Sequence, residues 1–280
     1  MKILLVGGEG NLGIGCETYL NRIGVNTIVW DVSRDIFSLS QDILLKSHID
    51  LVINFSVVVD QKTVRIIPTN EDFRVNVLGL FHLLEVCRET DIPLIQISTR
   101  EVIGTRDYRI NKADPKDELR AIGELEPCLP RNSYGKTKLI SEWILSEDSN
   151  SAVIRLNTCY TDNWKSGKGL IGTLVRKSRV DGAITLDNLG RALRDPLHIN
   201  DLTDLILKVY QNKFYGKIIH AGGGLNNLLT LREICTLANP KVNIYPGVVG
   251  SDFGFFMDIS LATSIGWNPK ITFSSWIDNN

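Results

Sequence analysis

Two groups of residues in this chain have types and spacing suited to chemistry. The first is Gly7-Gly8-Glu9-Gly10-Asn11-Leu12-Gly13, which follows the apolar run Ile3–Val6 with the spacing G-x-x-G-x-x-G. Glycines there let the backbone turn sharply and approach a pyrophosphate, whose charge is favoured at the N-terminus of the following helix. Gly7, Gly10, Asn11, Leu12 and Gly13 are therefore expected to bind a dinucleotide. Asp31 closes the second apolar run, 18 residues after Gly13. Its carboxylate can accept hydrogen bonds from ribose hydroxyls and would repel a 2′-phosphate, so NAD is expected over NADP; Arg34 is the residue that could accept that phosphate.

The second group is Tyr134-Gly-Lys-Thr-Lys138. On a helix, positions i and i+4 share a face, where a lysine ammonium can stabilise a tyrosinate and lower the cost of using it as a base. The same spacing occurs at Tyr108 and Lys112, inside the polar stretch 106–131 with its prolines 115, 127 and 130. Tyr134 instead opens an amphipathic pattern carrying Leu139, Ile140, Trp143 and Ile144, so Tyr134 and Lys138 are the expected reactive pair.

Elements that could hold these groups alternate through the first half. Strand-length apolar runs lie at 3–6, 27–30, 51–55, 93–97 and 152–156, and helical patterns at 12–23, 42–47, 75–89 and 134–146. Such alternation implies a doubly wound α/β fold, a parallel sheet of Rossmann type with helices on both faces. After about residue 157 the pattern weakens, with a strand candidate at 217–220 and a helix candidate at 231–237. The expected organisation is a dinucleotide-binding domain over 1–157 and a smaller C-terminal substrate lobe over 158–280, with 193–220 partly returning to the first.

Composition narrows the partners. With 31 Lys and Arg against 32 Asp and Glu the net charge is -1, which offers no basic field for nucleic acid. No apolar run approaches a membrane span, and the N-terminal run is too short for a signal peptide, so a cytoplasmic protein with no membrane partner is expected. The five cysteines are scattered without a C-x-x-C pair and the four histidines share no ligand spacing, so no metal site is expected.

Further stretches carry a family resemblance. Phe73-Arg-Val-Asn76-Val-Leu-Gly79 resembles an N-V-x-G helix start, and Gln96-Ile-Ser-Thr99-Arg100-Glu101-Val-Ile-Gly104 an S-[ST]-x-x-V-Y-G strand end. Arg155-Leu-Asn157-Thr-Cys-Tyr160 resembles R-x-x-N-x-Y, Arg194-Asp195-Pro-Leu-His198-Ile-Asn-Asp201 resembles R-D-[FY]-[IV]-H-V-x-D, and Trp267-Asn-Pro269 the terminal L-G-W-x-P. Together with the glycine loop and Tyr134/Lys138, these make the chain similar to the extended short-chain dehydrogenase/reductases, in the NAD-dependent sugar-nucleotide epimerase/dehydratase group.

The resemblance implies roles. Thr99 would be the hydroxyl partner of the acid/base Tyr134, and Lys138 would bind the cofactor ribose. Phe55, Ser56 and Asn76 would line the cofactor site. Arg100 and Glu101 would face the sugar, while Asn157 and Arg194 would meet the phosphates of a sugar-nucleotide substrate. A homodimer built from the helices at 75–89 and 134–146 is also implied. The family's 4,6-dehydratases resemble S-T-D-E-V-Y-G where this chain has Arg100 in place of the Asp, and an arginine cannot serve as a general acid. The leading expectation is a C4 epimerase acting by transient oxidation. A 4-ketoreductase of deoxysugar nucleotides is the alternative, because the path from Asp31 to Leu51 is short; a 4,6-dehydratase or a non-catalytic dinucleotide sensor ranks below both.

Overall fold

Val, Ile and Leu runs at six places in the chain become the strands of one parallel sheet in the computed structural model, which describes residues 1–31, 34–58, 65–104, 121–250 and 254–280. In chain order they are β1 (Lys2–Val6), α1 (Asn11–Arg22), β2 (Asn26–Trp30), α2 (Gln41–Lys46), β3 (Leu51–Asn54), α3 (Asn70–Phe73), α4 (Gly79–Thr90), β4 (Leu94–Thr99), α5 (Ser133–Leu145), β5 (Ser151–Leu156), α6 (Ile199–Gln211) and β6 (Lys217–Ala221). The sheet order is β6-β5-β4-β3-β1-β2. β1 pairs with β2 on one side and β3 on the other, Leu4 lying opposite both Ile28 and Val52. The order therefore reverses at β1, and the glycine loop leaves its C-terminal end, the place where open α/β sheets hold ligands. β3 and β4 are buried at every position, as strands covered on both faces must be.

The chain divides into two compact units. One comprises Met1–Gly104, Pro127–Arg155 and Thr203–Ile219; the other comprises Thr105–Glu126, Leu156–Leu202 and His220–Asn280. In the first, Leu4, Val6 and Val52 of the sheet pack with Leu44, Leu80, Leu83, Leu84 and Leu145 of the helices. Burying each such side chain contributes on the order of 1.5–3 kcal/mol. The second unit has its own core around Tyr160, Leu174, Ile184, Ile234, Phe273 and Trp276, with short strand pairs such as Leu193–Arg194 against Leu229–Thr230.

The helix expected over 75–89 starts earlier. Thr69 and Asp72 form a reciprocal capping box that starts α3 at Asn70. The chain then passes through a wide, π-type turn, Arg74–Leu78, into α4. Such turns recur at functional sites, and Asn76 lies inside this one. Ile144, expected on an apolar face of α5, packs against the first unit's core, whereas Trp143 is 65% exposed. Among the described residues no helix is long and apolar enough to cross a membrane, and no group of three or more His, Cys, Asp or Glu could hold a metal.

Candidate active site

The loop after β1 is shaped by backbone crowding. At Gly7 φ is +76°, and a Cβ there would stand 2.6 Å from the Ser56 amide nitrogen. A Cβ at Gly13 would stand 2.5 Å from Gly8 Cα, so α1 can cross the loop this closely only with glycine. Gly10 is roomier, its nearest obstacle being the Gly7 carbonyl oxygen at 3.2 Å. It is the N-cap of α1, and no side chain caps that helix start. Asn11 and Leu12 open the first turn behind it. At the end of β2 the Asp31 carboxylate accepts the Glu9 amide at 2.5 Å, tying the loop to the strand. The Arg34 guanidinium lies over the Trp30 ring, 5.2 Å from its centroid.

Beside the loop, the Phe55 amide donates to the Val6 carbonyl at 2.8 Å. The Ser56 amide and hydroxyl donate to Asn54 Oδ1 at 2.9 and 2.5 Å. Asn54 donates to Gln96 Oε1 at 2.7 Å, and Gln96 donates to the Ile97 carbonyl at 2.7 Å. That carbonyl also receives Lys138 Nζ at 3.0 Å, and Nζ reaches the Ser56 carbonyl at 3.4 Å. Asn76 accepts the Val58 amide at 2.8 Å and donates to Thr137 Oγ1 at 3.1 Å, which fastens the chain after β3 to α5.

The start of α5 sets the tyrosine. Asn132 caps the helix by accepting the Gly135 amide at 2.7 Å and donates to Glu101 Oε2 at 2.8 Å. Gly135 allows the approach, since a Cβ there would stand 2.4 Å from the Glu101 carbonyl oxygen. The half-buried Tyr134 phenol lies near the Thr99 hydroxyl, which accepts the Glu101 amide at 3.2 Å. Burial pushes the phenol up to about 12; the nearby Thr99 hydroxyl works against this and the Glu101 charge adds to it. Lys138, one turn further, is buried, which lowers its ammonium to about 8, opposed by the charge of Glu142. A phenol titrating so high stays protonated near neutral pH, and a cation on the same helix face reduces the cost of ionising it.

The structure thus brings together Gly7, Gly13, Phe55, Ser56, Asn76, Thr99, Tyr134 and Lys138 in the first unit. Arg100, in the short turn after β4, is buried at 5% exposure, and Glu101 beside it is half-buried. Asn157 and Arg194 belong to the second unit. Both N–H donors of Asn157 are engaged, one by Asp195 and one by the Phe255 carbonyl at 2.8 Å. Arg194 is buried rather than a surface charge and donates to its neighbour Leu193's carbonyl at 2.6 Å. Tyr108 and Lys112 lie outside the described residues. Sequence reasoning missed Asn54, Gln96, Asn132 and Glu142. Only Glu142 carries a signal, its place eight residues after Tyr134 on the same face of the helix.

A six-stranded parallel sheet with a glycine loop at its switch point defines a Rossmann fold. Residues 3–222 match the model of the NAD dependent epimerase/dehydratase family, and the chain belongs to that family, within the extended short-chain dehydrogenase/reductases. It is 25% identical to the CDP-paratose 2-epimerase of Salmonella typhi, over 97% of this chain and 96% of that protein. Its fold is similar to that of dTDP-glucose 4,6-dehydratase from Bacillus anthracis, solved with NAD, at a TM-score of 0.80 and 20% identity over 100% of this chain and 97% of the other. It is also similar to a dTDP-4-dehydrorhamnose reductase from Clostridium acetobutylicum, at a TM-score of 0.77 and 19% identity over 100% and 98%.

Proposed function

We propose that the protein is an NAD-dependent sugar-nucleotide C4 epimerase that works by transient oxidation of its substrate to a 4-keto sugar. The observation that carries this reading is the Tyr134 phenol beside the Thr99 hydroxyl, one helical turn from the buried Lys138. The first unit would take the cofactor. Its residues fit NAD: the loop has no room for a side chain at Gly7 or Gly13, α1 starts without a side-chain cap, and Asp31 offers a carboxylate at the end of β2. Lys138 and Ser56 would meet the ribose on the nicotinamide side, with Phe55 and Asn76 lining the wall.

Bound NAD would supply the hydride acceptor and donor. Tyr134 would remove the proton from the sugar's 4-hydroxyl oxygen and later return it. Thr99 would share the charge that forms on the phenol, and the Lys138 ammonium would lower the cost of that charge. Arg194 would bind the diphosphate through its guanidinium, and Asn157 would join it by exchanging one of its present bonds. Glu101 and Arg100 would face the sugar. Arg100 stands where dehydration needs an acid, so dehydratase chemistry is not expected.

A second reading, a 4-ketoreductase of deoxysugar nucleotides, is favoured by one observation: between Asp31 and Leu51 the described residues form only short helical segments, and β2 is the edge strand. Turnover separates the two. Purified protein that converts a UDP- or dTDP-hexose into its C4 epimer with catalytic dinucleotide is an epimerase. Stoichiometric loss of NADH or NADPH with a 4-keto sugar nucleotide, and none of the first activity, identifies the reductase.

The exposed Leu78, Phe81 and Trp143 lie on or next to α4 and α5, and a second copy of this chain is the partner we assign to them. Sedimentation should show a dimer. Trp143→Glu should shift it to monomer, and a wild-type monomer would contradict the assignment.

A further inference from the structure

Three consecutive residues at the end of β4 are each met by one residue of α5. The Ile97 carbonyl accepts Lys138 Nζ at 3.0 Å, the Ser98 hydroxyl donates to Glu142 Oε1 at 2.6 Å, and the Thr99 hydroxyl lies near the Tyr134 phenol. Tyr134, Lys138 and Glu142 are spaced i, i+4 and i+8, so they form one column on the helix. Glu142 is fully buried and is also held by Arg155 of β5, whose Nε lies 3.0 Å from Oε1 and whose Nη2 lies 2.6 Å from Oε2. A second contact of Arg155 Nη2 is Cys128 Sγ at 3.3 Å.

A buried ion pair is a poor device for stability alone, because desolvating both charges offsets their attraction and packed apolar residues of the same size do as well. We propose that Glu142, anchored by Ser98 and Arg155, is a positioning residue for the Tyr134–Lys138 pair: it locks α5 in register on the end of β4 and keeps a negative charge one turn from the lysine. This rests on the reading of Lys138 as a cofactor-binding cation. Tyr134 and Glu142 flank that lysine on its own helix, Arg155 of β5 is paired with Glu142, and the short turn that carries Arg100 and Glu101 packs against α5. The Ser56 carbonyl faces it from the chain after β3, and Asn76 of the wide turn is bonded to the neighbouring Thr137. Removing the Glu142 charge while keeping its shape would leave the ammonium with less to oppose its burial, and it would lose its proton at lower pH.

The test is NAD affinity measured by titration from pH 6.5 to 9.5. Wild-type affinity should fall as pH rises through the Lys138 titration. In Glu142→Gln the midpoint of that fall should move down by about one pH unit. Because that variant strands the buried Arg155 charge, the neutral pair Glu142→Gln/Arg155→Gln provides a folded comparison and should move the midpoint in the same direction. A folded double variant with the wild-type midpoint would overturn the proposal, since a purely structural role predicts that result. Lys138→Met distinguishes the underlying reading. If it abolishes the pH dependence while the double variant leaves the midpoint in place, only the role of Glu142 fails. If it binds NAD with unchanged affinity and pH dependence, the cofactor reading fails and the proposal with it.

Discussion

In the loop after β1, backbone atoms decide which residues are allowed: Gly7 sits against the Ser56 amide and Gly13 against Gly8, and no side chain caps the helix that follows. At the corner between β4 and α5 the reverse holds. Five side chains from four separate stretches of chain, Asn54, Gln96, Ser98, Glu142 and Arg155, make the hydrogen bonds that surround the Lys138 contact with the Ile97 carbonyl. The loop excludes bulk so that an anion can approach amides, and its tolerance is set by fractions of an ångström. The corner holds charge in a buried setting, and its tolerance is set by how well each ionised group is paired.

Substitutions should separate the two kinds of construction. Tyr134→Phe, which removes the proton carrier and little volume, should lower kcat by roughly 10²–10⁴-fold while leaving NAD binding and thermal stability close to wild type. Gly13→Ala should weaken NAD binding by about tenfold or more, the cost of forcing one methyl group into a packed backbone contact, which is about 1–3 kcal/mol. Gly10→Ala, whose Cβ meets the Gly7 carbonyl oxygen at 3.2 Å, should cost far less in the same isothermal titration. Equal losses at the two glycines would show that crowding is not what shapes the loop.

The corner should show itself through pH. A free lysine titrates near 10.4, whereas burial brings Lys138 down to about 8. Between these values the unfolded chain holds a proton that the folded chain has released, so the ligand-free protein should become more stable as pH rises from 8 to 10. The gain attributable to this group is on the order of 2–3 kcal/mol, and Lys138→Met should lack it in denaturant melts. Tyr134 works in the opposite direction at higher pH: its folded value is raised to about 12, so stability is lost between pH 10 and 12. Asn132→Ala should have the smallest effect, about 1 kcal/mol of stability from the lost helix cap, with a modest fall in kcat as Glu101 is released.

How much of this is legible in the sequence follows the same division. The loop can be read because its constraint is local: three glycines at fixed spacing after a strand report a backbone shape directly. Tyr134 and Lys138 can be read because a helix turns four residues into one face, and the strands at 3–6, 27–30 and 51–55 because parallel strands are apolar throughout. Asn54, Gln96 and Arg155 cannot be read, since a lone polar residue within an apolar run gives no sign of the partner it meets 13 to 42 positions away. The helix Ile199–Gln211 is legible, its Leu202, Leu205, Ile206 and Val209 all buried at helical spacing, although its first turn is shared with the Arg194–Asp201 motif. The early start of α3 was also written locally, in the Thr69 and Asp72 capping box.

The most direct measurement uses a UDP- or dTDP-hexose deuterated at C4, incubated with the purified protein carrying its native dinucleotide. If Tyr134 moves the proton while the carbon-bound hydrogen is held and returned, both C4 epimers should form with deuterium retained at C4. Product from which deuterium has been lost to solvent, or a protein that carries dinucleotide but leaves every such sugar nucleotide unchanged, would contradict the epimerase reading.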